Sequence, residues 1–147
     1  MSDSLLLLDA NIPMYAAGQA HPHRAACVWI MTQIVEGKLA AAIDAEIIQE
    51  ILYRYGALQR WDIAVAVATN LVKLVPTIYP ILPADAELAI GLFAEYAPQG
   101  IKARDLIHAA VMQHNGLSQI ISTDQHFDQI DGIIRLDPQQ LYQSATA

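Results

Sequence analysis

The stretch "QIISTDQHFDQI", residues 119–130, carries a short β-type run, Ile120 to Thr123, straight into an acid, Asp124, with a second acid at Asp128 and Phe127 between them. Near the other end, "SLLLLD", residues 4–9, repeats the arrangement: four leucines closed by Asp9. A short, wholly apolar run bounded by a polar residue reads as a strand buried on both faces, as in a parallel sheet. Between these two runs the pattern changes period. "AACVWIMTQIVEG" has helical spacing and stops at Gly37, a C-cap residue; "KLAAAID" reads as a second strand. Ile47, Ile48, Ile51, Leu52 and Tyr55 follow a helical stripe that Gly56 ends, and a further helix fits Trp61 to Lys73. "TIYPIL" reads as a strand in which Pro80 points to an edge position or an early end. Helices over 84–96 and 104–115, the strand "SQIIS" and a last strand "GIIRL" complete the series. Strands alternating with helices across connections too long for hairpins give a three-layer α/β/α fold around a mostly parallel sheet, in one domain spanning residues 1–147. Ligands of such sheets sit outside the carboxyl ends of the strands.

Composition narrows the function. Hydrophobic residues make up 54% of the 147 and charged residues 16%, which suits a globular chain. The single cysteine, Cys27, allows no internal disulfide and fits a reducing, cytoplasmic setting. The opening "MSDSLLLLDANIP" lacks the basic leader of a signal peptide and carries Asp3. The most apolar segment, "WDIAVAVATNLVKLVP", is broken by Asp62, Asn70 and Lys73, short of the roughly 18 apolar residues that a membrane helix needs. A net charge of −7 argues against coating nucleic acid by bulk electrostatics but does not exclude an enzyme that gathers carboxylates around divalent cations. P-loops, GxGxxG turns and SxxK-type nucleophiles are absent, which leaves nucleotide triphosphatases, Rossmann dehydrogenases and serine hydrolases without support.

Four acids fall where the sheet's carboxyl edge and the neighbouring helices meet. Asp9 and Asp124 follow strands directly, Asp105 opens the "DLIHAAVMQH" helix, and Glu50 stands at the shoulder of the Ile47–Ile51 stripe, while Glu46 points almost opposite, to water. Singly, these residues have ordinary explanations as turn, N-cap and solvated helix acids. Jointly they would repel unless a cation sat among them, and hard oxygen ligands select Mg²⁺ or Mn²⁺ over zinc. Two such ions roughly 3.5–4 Å apart support phosphodiester hydrolysis. Lys102 and Arg104, flanking Asp105, are the candidates for phosphate contact. His108 reads as a partly buried histidine with a local partner, and His21 and His23 in "AHPHRAA" as solvated residues rather than a metal pair.

Four blocks, "LLLLDANIPMY", "AEIIQEILYRYG", "ARDLIHAAVMQHNG" and "IISTDQHFDQIDGIIRLDP", resemble in order the successive motifs of the PIN domain, from residue 5 to about 138. That is a family of metal-dependent ribonucleases which includes the VapC toxins of bacterial toxin–antitoxin pairs. The resemblance implies that Asp9, Glu50, Asp105 and Asp124 hold metal and act in catalysis. It makes Asn11 the supporting residue two places after the first acid and Thr123 the hydroxyl neighbour of Asp124. Asp128 is expected at the rim or outer shell. Arg104 directly before the third acid, and Leu106 after it where alanine is frequent, are departures that bear on substrate contacts. The implied activity is hydrolysis of single-stranded RNA, with a cognate antitoxin as partner; the apolar "AVAVATNLV" helix adds the expectation of a homodimer. A catalytically silent RNA- or protein-binding scaffold is the alternative, but none of the four acids is lost. A phosphohydrolase of the haloacid dehalogenase type would need an aspartate at position 11, which is asparagine.

Overall fold

The structure is a computed structural model that describes residues 5–147; the leader region read from Asp3 and the first residue of "SLLLLD" lie outside the described residues. Five strands, β1 (Leu6–Leu8), β2 (Ala41–Asp44), β3 (Thr77–Tyr79), β4 (Gln119–Ile121) and β5 (Ile134–Leu136), form one sheet in the order β3-β2-β1-β4-β5, and every pairing is parallel. β1 is central because it is the most apolar: Leu6, Leu7 and Leu8 are all buried. Its alternation splits the core. Leu6 and Leu8 pack into one cluster with Ile30, Ile47, Ile51 and Leu71, and Leu7 packs into another with Leu92, Leu106, Met112 and Phe127. Two apolar layers on opposite faces of one sheet, each roofed by helices, are the three-layer architecture that the strand–helix alternation predicts.

The helices are α1 (Asn11–Ala17), α2 (Arg24–Val35), α3 (Ala45–Ala57), α4 (Trp61–Leu74), α5 (Pro83–Tyr96), α6 (Ala103–His114) and α7 (Pro138–Thr146). α5 and α6 cover the Leu7 face, and α2, α3 and α4 the other. Gly37, at φ 73°, follows the end of α2 in the left-handed conformation that a C-cap favours. α3 does not stop at Gly56 but runs to Ala57, and the chain then turns at Gln59, with φ 57°. β3 ends at Tyr79, before Pro80, and lies at the sheet edge, as a residue without an N–H requires.

α1 and α7 are absent from the sequence reading. Pro13 falls in the first turn of α1, where its missing N–H costs nothing. α7 begins at Pro138, with the Asp137 carboxylate accepting from Gln140 N at 3.2 Å, an N-cap followed by proline at the first helical position.

From β1 the chain builds β2 and β3 to one side, then returns to place β4 and β5 on the other. The reversal leaves a crevice beyond the carboxyl ends of β1 and β4, the place where open parallel sheets bind ligands.

Candidate active site

Asp9 and Asp124 reach this crevice from adjacent strands, since Leu8 of β1 is paired with Ile121 of β4. Asp105 is not the N-cap of α6: Lys102 holds that position, and Asp105 lies in the first turn of the helix, buried. Glu50 comes from α3 and is also buried. Together with Asn11, Arg54, Lys102 and Arg104, these four acids line one cleft of about 270 Å³. Thr123 and Asp128 are not in its lining.

A hydroxyl network orients Asp9. Ser122 Oγ donates to Asp9 Oδ2 at 2.5 Å and accepts from Asp124 N at 2.9 Å, tying the first acid to the turn that presents the last. Asn11 Nδ2 donates to Asp9 Oδ2 at 3.2 Å, and its Oδ1 accepts from Thr123 N at 3.4 Å. The bridging hydroxyl is therefore that of Ser122 rather than Thr123, which contributes its backbone. Ser122, wholly buried after β4, is not among the candidates that the sequence suggests, since it stands beside Thr123 with nothing to mark it as the enclosed hydroxyl. Asp124 does act as a turn residue, accepting from His126 N at 2.9 Å. Asp128, exposed, is held by Arg135 through contacts of 3.0 and 3.2 Å. Phe127 is fully buried in the Leu7 cluster and pins the short turn Gln125–Gln129 that follows Asp124.

His108 departs furthest from expectation. It is completely buried, and its partner is distant in sequence: Nδ1 lies 2.7 Å from Asp44 Oδ2. Nε2 faces the site, 3.6 Å from Glu50 Oε1. Burial alone would lower the imidazole's pKa, but the charge and hydrogen bond of Asp44, with Glu50 and Asp9 nearby, raise it well above the usual histidine value. Glu50 is the counterpart. Burial pushes its carboxyl up, but His108, Arg104 at 3.8 Å and Arg54 at 3.5 Å more than reverse this and hold it below the ordinary glutamate value. Glu46, expected in water, is half-buried with Arg104 Nε 3.7 Å away.

In the other half of the cleft His108 compensates too little to offset burial. Burial and the charges of Asp124 and Asp9 push the Asp105 carboxyl up to about 7. Asp9 is likewise raised, chiefly by burial. Asp105 Oδ2 is buried without a hydrogen-bond partner among the described residues. Ligand atoms of Asp105, Asp124 and His126 lie within 4.8 Å of one another, as do those of Asp9, Glu50 and His108. An orphaned carboxylate oxygen among mutually repelling acids is the environment that a hard divalent cation relieves, and this donor set fits one.

His21, exposed, stacks on Tyr15 at a ring centroid distance of 4.6 Å, and His23, half-buried, is tilted against the same ring at 5.1 Å. Among the described residues, no helix is long and apolar enough to cross a membrane.

Residues 6–133 match the PIN domain family. Ribonuclease VapC13 of Mycobacterium tuberculosis is 35% identical over 132 residues, which cover 90% of this chain and 99% of that protein. Ribonuclease VapC7 of the same organism is 28% identical over 135 residues, 91% of this chain and 92% of the relative. Among solved structures, VapC20 of Mycobacterium tuberculosis, described as a sarcin-ricin loop cleaving toxin, is similar at a TM-score of 0.70 with 14% identity, covering 86% of this chain and 94% of that one. FitAcB from Neisseria gonorrhoeae also gives 0.70, at 17% identity over 91% of this chain and 98% of the other. At those identities the likeness in structure speaks for the fold.

Proposed function

This chain belongs to the PIN domain family, and on that premise we propose that it is a Mg²⁺- or Mn²⁺-dependent endoribonuclease acting on single-stranded RNA, the toxin of a toxin–antitoxin pair. What supports the reading is the meeting of Asp9, Glu50, Asp105 and Asp124 in one cleft, with a buried Asp105 oxygen that lacks a partner. The relatives named ribonucleases align along nearly their whole length, so the comparison concerns their entire chains.

In this reading Asp9, Asp105 and Asp124 hold the cation, with Glu50 beside them. When bound, one or two such ions supply an activated water and stabilise the leaving oxygen of an in-line displacement at phosphorus. Ser122 and Asn11 keep the Asp9 carboxylate aimed, so that it need not reorganise as charge develops. Lys102, Arg104 and Arg54 line the cleft around the acids and bind the phosphates flanking the scissile one. With eight lysines and arginines in the whole chain, such contacts are local. A cytoplasmic protein with an antitoxin bound until release, and a homodimer built on the exposed Val65 and Val72 of α4, complete the proposal.

The test is cleavage of end-labelled single-stranded RNA by the purified chain with Mn²⁺, with Mg²⁺ and with EDTA, beside Asp9→Asn. The expectation is cleavage that requires metal and falls at least about 100-fold in the variant, the scale on which metal-site residues act. Equal activity in EDTA, or in Asp9→Asn, would remove the assignment. Co-purification with the product of an adjacent small gene carrying a DNA-binding fold tests the toxin half.

A further inference from the structure

A second cavity opens beside the acidic cleft and shares two of its walls. It measures about 230 Å³ and is lined by Asn11, Met14, Tyr15 and Gly18 from α1 and its end, and by Arg54 and Tyr55 from α3. Asn11 and Arg54 also line the acidic cleft, so the two spaces are neighbours across these side chains. Their chemistry is opposite. The cleft presents carboxylates, whereas the cavity presents two phenol rings, a thioether and the flank of a guanidinium, the surfaces against which flat heterocycles stack.

Tyr15 is braced. Its ring stacks on His21 at 4.6 Å with an interplanar angle of 29° and leans on His23 at 5.1 Å, and the two imidazoles stack on each other at 5.2 Å. The "AHPHRAA" turn thereby gains a role that the acidic site does not use: it fixes an aromatic wall. Gly18 contributes backbone alone, and a Cβ at that position would lie 3.1 Å from the Met14 carbonyl oxygen.

We propose that this cavity is a nucleobase pocket: it takes one unpaired base of the RNA, next to the scissile phosphate, against Tyr15 and Tyr55, with Arg54 bridging from pocket to cleft. The proposal rests on the ribonuclease reading above and adds the feature of the substrate that is recognised. A base in a duplex is stacked and paired and cannot enter; a base in a loop or single strand can be splayed out at small cost. The pocket therefore favours single-stranded substrates by shape, in a protein too poor in cations to hold RNA by charge alone.

The experiment uses the full chain and one single-stranded RNA that it cuts, synthesised with an abasic nucleotide walked through the positions flanking the cut. Initial rates are measured with Mn²⁺ for wild type, Tyr15→Leu, Tyr55→Leu and Tyr15→Phe. At one flanking position the abasic change should weaken wild-type kcat/KM roughly 5- to 150-fold, the range for losing one stacked base, with the loss mainly in KM. Tyr15→Leu should show a similar loss on the intact RNA and no further loss on that abasic RNA, because the two changes remove the same contact. Tyr15→Phe should restore it. Losses that add, or a wild-type walk without a position-specific effect, would overturn the pocket while leaving the nuclease intact. A folded, metal-loaded wild type that cuts no RNA would instead overturn the ribonuclease reading, and the pocket with it. The wild-type walk needs no variant, so a misfolded substitution cannot shelter the proposal.

Discussion

The Nδ1 of His108 lies 2.7 Å from Asp44 Oδ2, with both side chains wholly buried between α6 and the end of β2. Asp44 does two things at once: its other oxygen accepts from Ile47 N at 3.0 Å and caps α3, the helix that carries Glu50. The pair therefore fixes the start of α3 and, through His108, a positive charge behind Glu50.

Removing one member of a buried ion pair leaves the other charge uncompensated, at a cost of about 3–5 kcal/mol. Asp44→Asn keeps the cap but weakens the pair, so it should lose at least about 2 kcal/mol in urea unfolding, and Asp44→Ala, which also loses the cap worth about 1 kcal/mol, should lose more. A loss below about 1 kcal/mol for both would show that His108 does not depend on Asp44.

Stability should also depend on pH in a direction that metal removes. The Asp105 carboxyl titrates near 7 in the folded protein, against 3.8 for an ordinary aspartate. Between those values the folded state binds more protons than the unfolded one, so the free energy of unfolding falls as pH rises. The raised Asp9 acts in the same sense. His108, raised above 6.5, contributes stability that is complete below that value and lost only as pH climbs through its folded pKa. In EDTA the melting temperature should decline from pH 5 to pH 8, and saturating Mn²⁺ should reduce the decline by neutralising the acids. A melting temperature in EDTA that is flat or rises over this range would contradict the crowded-acid site.

Cys27 is fully enclosed, and burial, with Asp137 nearby, pushes its thiol up to about 12. The thiolate is the reactive form, so a colorimetric disulfide reagent should leave it untouched at pH 8 in the native protein and titrate one thiol after denaturation. Rapid native labelling would mean that α2 opens far more readily than its packing implies.

The parts of the fold legible in the sequence are those that depend on local pattern. Leu5–Leu8 and Ile120–Ile121 could only be buried strands, and Asp9 and Asp124 after them mark the same sheet edge. Asp44 closes "KLAAAID" in the same relation, but the alanines make a weak strand signal that does not mark it as a third acid of that edge. His108 could not be paired with it by inspection: 64 residues separate them, and nothing in helical periodicity says which strand end a histidine will meet. α1 was hidden by its brevity and its proline. The engagement of Arg104 with Glu46 and Glu50 depends on how α6 lies against α3, a matter of packing rather than pattern.

The two acids of "STDQHFDQI" differ in what already holds them, and this decides the last prediction. Asp124 lines the cleft, raises the Asp105 pKa by its charge and shares ligand distance with Asp105 and His126. Asp128 is turned to Arg135, whose guanidinium also reaches the Ser122 carbonyl at 3.0 Å and Asp137 at 3.5 Å. Phe127 sits between them, buried, so the 3-10 turn presents one acid to the cleft and leaves the other exposed beside Arg135. Asp124→Asn should weaken Mn²⁺ binding by one to two orders of magnitude, the usual scale for a metal-site residue, whereas Asp128→Asn should change it by roughly threefold or less. Its effect should appear instead as a small loss of stability, on the order of 1 kcal/mol or less, because the Arg135 pair is exposed on the Asp128 side. Isothermal titration of both variants decides between them, and an equal or larger loss of metal affinity at Asp128 would mean that the acids had been assigned in the wrong order.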